Sequence, residues 1–150
     1  MAATQLSRAT YDRLRAEFDD LTTRGRIELS ETIERAREEG DLKENAGYHA
    51  AKDEQGHMEG RIRQLEYLLE TADVVDQCPV VTFVYEGDSD DQAERYLIGH
   101  IEEQPPDGTE VMGPDSPLGE ALAGASPGEL VSYEAPGGPM SVRVIKVEHV

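Results

Sequence analysis

With 32 Asp and Glu against 14 Lys and Arg in 150 residues, the chain carries a formal net charge of −18, and a surface this negative excludes gripping of duplex DNA or RNA by the bulk of the molecule. The imbalance is uneven, with 11 basic and 17 acidic side chains in residues 1–75 and only 3 and 15 in residues 76–150. No apolar run approaches the roughly 20 residues that span a bilayer and no signal-peptide pattern opens the chain, so a cytoplasmic location without membrane contact is expected.

Residues 7–72 contain no proline and read as helix. Tyr11, Leu14, Phe18 and Leu21 start a heptad seam, and Leu29, Ile33 and Ala36 resume it after a shift of phase around Arg24, Gly25 and Arg26. Glycine in a helix interior costs about 1 kcal/mol, so a local irregularity is expected at Gly25. Gly40 stands as the C-terminal cap of this helix, and residues 41–45 form a turn. A second helix carries its seam through Tyr48, Ala51, Gln55, Met58, Ile62, Leu65, Leu69 and Ala72. Each seam is too narrow for a globular core, and few residues separate them, so the two helices pack antiparallel as a coiled-coil hairpin over residues 1–75. Thirty residues at about 1.5 Å each give an arm of roughly 45 Å.

Near residues 76–79 the composition changes, and all 8 prolines fall beyond residue 75. Cys78 is the single cysteine, which excludes an intrachain disulfide and a cysteine-rich zinc site. Strands are expected at 80–85, 96–101, 130–134 and 142–147, with turns at 87–90, 105–108 and 136–139. Ser116 as N-cap, Pro117 at the first position and Gly124 past the end predict a short helix. The fold class is therefore α+β, a helical hairpin over 1–75 followed by a small β-rich domain over 76–150.

The chemistry centres on the turn. Asp41 and Glu44 fit two readings. Asp-x-x-Glu at a helix start is a variant of the capping box, with Asp41 as cap and Glu44 reaching back. If Asn45 is the cap instead, both acids stay in the turn and point outward, where they can lend oxygens to a Mg²⁺ ion. Two carboxylates on a convex tip do not build a whole magnesium site, which argues against an autonomous nuclease or phosphatase. Lys43, Lys52, Arg35 and Arg37 put positive charge near this turn, either to hold a phosphate backbone or as an ordinary salt-bridged helix surface. His49, His57, His100 and His149 lack metal-ligand spacing, and Ser116 has no nearby His-Asp pattern.

The run Gly40-Asp41-Leu42-Lys43-Glu44-Asn45-Ala46-Gly47-Tyr48-His49-Ala50-Ala51-Lys52, within residues 36–56, followed by Glu59-Gly60-Arg61-Ile62, resembles the bacterial Gre transcript cleavage factors. More loosely, the likeness extends through Ser116-Pro117-Leu118-Gly119, Pro136-Gly137-Gly138 and the last strand. It implies an N-terminal coiled coil and an FK506-binding-protein-like C-terminal domain. It further implies an accessory factor, not itself an enzyme, whose C-terminal domain docks on core RNA polymerase through Ser116, Pro117, Leu118 and Gly119. The coiled coil would enter the secondary channel, and Asp41 and Glu44 would hold a Mg²⁺ ion jointly with the polymerase, with none bound to the free protein. Lys43 and Lys52 would lie near the nascent RNA 3′ end. Cleavage of the backtracked transcript would then be stimulated. The alternative is a Gre-like inhibitor that occupies the same channel without productive cleavage. Gly47 stands where the family usually has an acid, and residues 76–79 form a shorter link than is usual. A monomer is expected, because the seam is consumed inside the hairpin.

Overall fold

The computed structural model describes residues 4–40 and 44–150. Two compact units emerge: Tyr11–Ala72, and Met1–Thr10 together with Asp73–Val150.

In the helical unit, α1 (Arg8–Asp20), a π-helical segment (Leu21–Gly25) and α2 (Arg26–Glu38) follow one another without a break, and α3 (Ala46–Thr71) returns against α2. The irregularity expected at Gly25 is this π segment, in which the Arg26 amide donates back to the Leu21 carbonyl. Its physical basis is phase. The step from Leu21 to Leu29 is one residue longer than a heptad, and at about 100° per residue an unbroken α-helix would turn the second stripe away from the first. One wide turn absorbs the extra residue, and Leu29, Ile33 and Ala36 are buried. The Thr22 and Thr23 hydroxyls donate to the carbonyls of Phe18 and Asp19 at 2.8 and 2.6 Å, supplying bonds where the α-helical pattern is interrupted. Gly25 permits close approach, since a Cβ there would lie 3.3 Å from Met58 Sδ.

Leu29, Ile33 and Ala51 form one cluster, with Tyr48 and Met58 packed against it. Ile62 and Leu65 are also buried. Toward the end of α3, Leu68 is buried and Leu69 only half-buried, the reverse of the heptad expectation. Both positions lie on the face of Leu65, three and four residues on, so spacing alone does not choose between them. Two forked ion pairs tie the helices together. Arg26 meets Glu59 with both contacts at 2.9 Å, and Arg61 meets Glu17 at 2.7 and 2.9 Å; such paired geometry is the strong form of an exposed charge contact.

The other unit is built on a five-stranded sheet of order β5-β4-β3-β7-β6, comprising β3 (Pro79–Tyr85), β4 (Glu94–Ile98), β5 (Glu110–Met112), β6 (Leu130–Ala135) and β7 (Gly138–His149). Only the β4–β5 pair is parallel. β3 is central, which explains its near-continuous apolar run, buried on both faces. One face carries Val81, Phe83, Ile98, Val142 and Val144 and packs with Leu122 of the short helix α4 (Pro117–Leu122). On the other face, Cys78, Val80 and Leu97 make a smaller cluster.

Several boundaries differ from the sequence reading. The span 1–75 is not hairpin to its ends, because β1 (Gln5–Ser7) pairs in parallel with β2 (Asp73–Val75) and both belong with the sheet unit. Three-residue strands leave no alternation to read. The strand expected at 96–101 stops at Ile98, and Ile101 lies 82% exposed in the turn that follows. β5 has no counterpart among the expected strands, and β7 runs longer than its expected span because hairpin pairing with β6 begins at Gly138.

Candidate functional site

At the end of α2, Glu39 is the last residue in the helical region, and Gly40 takes φ +132°, a conformation that favours glycine. The chain thus leaves the helix at Gly40, where the sequence places the end of α2. Asp41 and Lys43 lie outside the described residues, as does Leu42. Glu44 is exposed, and α3 begins two residues after it, at Ala46.

The cap of α3 is Asn45. Its Oδ1 accepts from the Tyr48 amide at 3.0 Å, satisfying one of the orphan donors of the first turn. Glu44 therefore sits ahead of the cap, outside the third helical position that a capping-box acid must occupy. The competing reading, in which Asp41 caps and Glu44 reaches back, fails on this register. The same Asn45 side chain does a second thing that sequence inspection missed. Its Nδ2 donates to the Ala36 carbonyl of α2 at 2.5 Å. No sequence signal distinguishes such a bridge from a simple cap, because the acceptor is a backbone atom of another helix.

The basic residues near the turn divide. Arg37 lies over the Tyr48 ring, 5.9 Å from its centroid, a cation–π contact between α2 and α3. Arg35 donates to the Thr32 hydroxyl on its own helix at 3.3 Å. Lys52 is exposed and donates to Gln55 at 2.9 Å. Carboxylate is the donor type that Mg²⁺ takes, and Glu44 offers at most two of about six oxygens. Among the described residues, no three His, Cys, Asp or Glu side chains converge as metal ligands.

The segment Ser116-Pro117-Leu118-Gly119 opens α4. The Ser116 hydroxyl accepts from the Gly119 amide at 3.1 Å and donates to the Gly113 carbonyl at 2.8 Å. Gly119 is obligatory, since a Cβ there would lie 2.0 Å from the Gly113 oxygen. Leu118 packs against the sheet core and Gly119 is buried, so Pro117 is the exposed member and Ser116 is half-buried. The three basic residues of the sheet unit's C-terminal stretch share the sheet face away from α4, where Arg95 and Lys146 both stand opposite Thr82, and Arg143 opposite Val84. Each is ion-paired, Arg95 and Lys146 with Glu148 and Arg143 with Asp90. No helix among the described residues is long and apolar enough to cross a membrane.

Comparison with known proteins gives the following. A family profile described as transcription elongation factor, N-terminal, matches residues 4–74, and one described as transcription elongation factor, GreA/GreB, C-term, matches residues 70–149. Transcription elongation factor GreA of Saccharopolyspora erythraea is 46% identical over 155 residues, covering 97% of this chain and 94% of the relative. The protein of the same name from Streptomyces coelicolor is 44% identical over 155 residues, with 97% and 93% covered. The solved structure of GreA factor homolog 1 of Thermus thermophilus is 23% identical, with 98% of this chain and 99% of that one covered and a TM-score of 0.45.

Proposed function

We propose a mechanism for a chain that belongs to the GreA/GreB family of transcription elongation factors, and that as such acts on RNA polymerase: its hairpin lends Asp41 and Glu44 to the polymerase active site and so stimulates cleavage of a backtracked transcript. The observation that supports this most is the register of α3. Asn45 satisfies the helix start, so Glu44 is left exposed and is not consumed as a cap.

The chain is then an accessory factor, and the polymerase remains the catalyst. Hydrolysis adds water at an internucleotide phosphorus, breaks the bond to the 3′ oxygen and leaves a new 3′-hydroxyl that the polymerase extends. When bound, Mg²⁺ supplies polarisation of the attacking water and neutralises charge on the leaving oxygen. Asp41 and Glu44 would contribute part of its oxygen shell, with polymerase groups and RNA phosphate completing it. Lys43 and Lys52 would attract the RNA backbone beside an otherwise acidic surface. Docking would fall to the sheet unit, with the exposed Pro117 ring on a helix start held rigid by Ser116 and Gly119.

The test is addition of the chain to halted, backtracked complexes of core RNA polymerase. Shortened transcripts that resume extension are the expected result. Slowed extension without shortened transcripts would establish instead the inhibitor of the same channel.

A further inference from the structure

We infer that Asn45 is a positioning residue for Glu44, chosen over other capping residues because its amide joins both helices of the tip. This inference rests on the reading of Glu44 as a working carboxylate. For capping alone, Asn, Asp and Ser are nearly equivalent, since α3 asks only for an acceptor facing the Tyr48 amide. The second bond is what sets Asn apart. Asp has no donor, and a Ser hydroxyl is a shorter arm with a single proton. The Asn45 amide uses its oxygen on α3, at 3.0 Å from the Tyr48 nitrogen, and its nitrogen on the Ala36 carbonyl of α2, at 2.5 Å. Ala36 O also accepts from the Glu39 amide at 3.2 Å, so the last turn of α2 and the first turn of α3 meet at one side chain.

Glu44 is the residue immediately before this junction. Its peptide link to Asn45 is planar, so fixing Asn45 at two points restricts the direction in which the Glu44 backbone, and with it the carboxylate, leaves the tip. A carboxylate on a turn pinned at one helix only has more orientations to lose at each productive encounter. The loss falls on the rate at saturation and leaves affinity, which rests on other surfaces, unchanged.

Asn45→Ser and Asn45→Asp, each still able to cap α3, test this in the full chain against backtracked core polymerase. Both are expected to keep the parent's far-ultraviolet helix signal and to compete for polymerase within about twofold of it. Their maximal cleavage rate at saturating factor should fall about tenfold, by loss of orientation. In the free protein, the heteronuclear NOE of the Glu44 amide should drop in both variants while that of Leu65 stays unchanged. A parental rate at saturation, an unchanged Glu44 NOE, or a rate deficit erased simply by adding more factor would each overturn the inference. If the parent itself stimulates no cleavage, the functional reading fails separately, and the Glu44 NOE still decides whether Asn45 holds its neighbour.

Discussion

Glu103 takes both the amide and the hydroxyl of Ser7, with Oε2 at 2.9 Å from the nitrogen and Oε1 at 2.5 Å from Oγ. Ser7 in turn accepts from the Thr10 amide at 3.2 Å, and the Thr10 hydroxyl returns to Glu103 at 2.8 Å. All three residues are buried, so one carboxylate satisfies three donors that water does not reach. Glu103→Ala strands them together, and should destabilise the sheet unit by about 3 kcal/mol in denaturant titration. Glu103→Gln keeps one acceptor oxygen and should cost clearly less. A Gln variant as stable as the parent, beside a costly Ala variant, would mean that packing, rather than hydrogen bonding to the carboxylate, is what Glu103 contributes.

The π segment accommodates one extra residue, and that account can be tested by removing it. Deleting Thr23 sets Leu21 and Leu29 seven apart, so an unbroken α-helix keeps Leu29 and Ile33 on the face they now bury. The hairpin should then lose little or no stability, against the large loss expected if the wide turn were itself needed for packing, since each such side chain is worth about 1.5–3 kcal/mol. Thermal unfolding followed at the hairpin checks this, with Tm held or raised for the deletion and at most a small change for Gly25→Ala. For the latter, the gain in helix propensity is set against the 3.3 Å approach of the flexible Met58 side chain.

Two groups set opposite pH limits. Hydrogen bonds from Arg26 hold the Glu59 carboxyl below its ordinary 4.5. Its folded value is the lower one, so the stabilisation is complete above the unfolded value and is lost as pH falls through the folded value. Glu59→Gln should therefore flatten the acid-side decline of the hairpin below about pH 4.5. Burial, with Glu103 adding to it, pushes the Cys78 thiol from 9.0 up to about 11. Here the folded value is the higher one, so stability is complete below pH 9 and is lost as pH rises through about 11. Cys78→Val should remove that alkaline decline, read from Tm between pH 8.5 and about 11.

At the start of α4, Gly119→Ala should be far worse than Ser116→Ala. The first places a methyl 2.0 Å from the Gly113 oxygen, so the turn must open, at a cost of about 3 kcal/mol or more. The second removes a cap worth about 1 kcal/mol. If docking uses Pro117 as this turn presents it, Gly119→Ala should also weaken competition for core polymerase, whereas Pro117→Ala should weaken it with the fold intact.

The helices were legible because their signals are long and redundant. The seam from Tyr11 to Ala36 displayed its own fault at Gly25, and the structure turns that fault into a π segment. The start of α4 was legible for a different reason, since Ser116, Pro117 and Gly124 each do something local. β1 and β2 left no comparable trace, because three residues cannot show a period and their parallel pairing joins distant parts of the chain. The charge and spacing of Glu44 stood in the sequence, but whether it capped a helix did not. That depended on which of two neighbouring residues met the Tyr48 amide. Asn45 was visible as a rival cap, while its bond to Ala36 required the folded turn.

If Glu44 acts through its charge, Glu44→Gln is the variant that shows it. The amide keeps the size of the side chain and, ahead of the Asn45 cap, disturbs no helix bond. What it removes is an oxygen donor of the kind Mg²⁺ prefers. The measurement is the first-order rate at which transcripts shorten in backtracked core polymerase complexes at saturating factor. A fall of about a hundredfold or more is expected, with competition for polymerase unchanged. A Glu44→Gln chain that shortens transcripts at the parental rate would contradict a role for the charge.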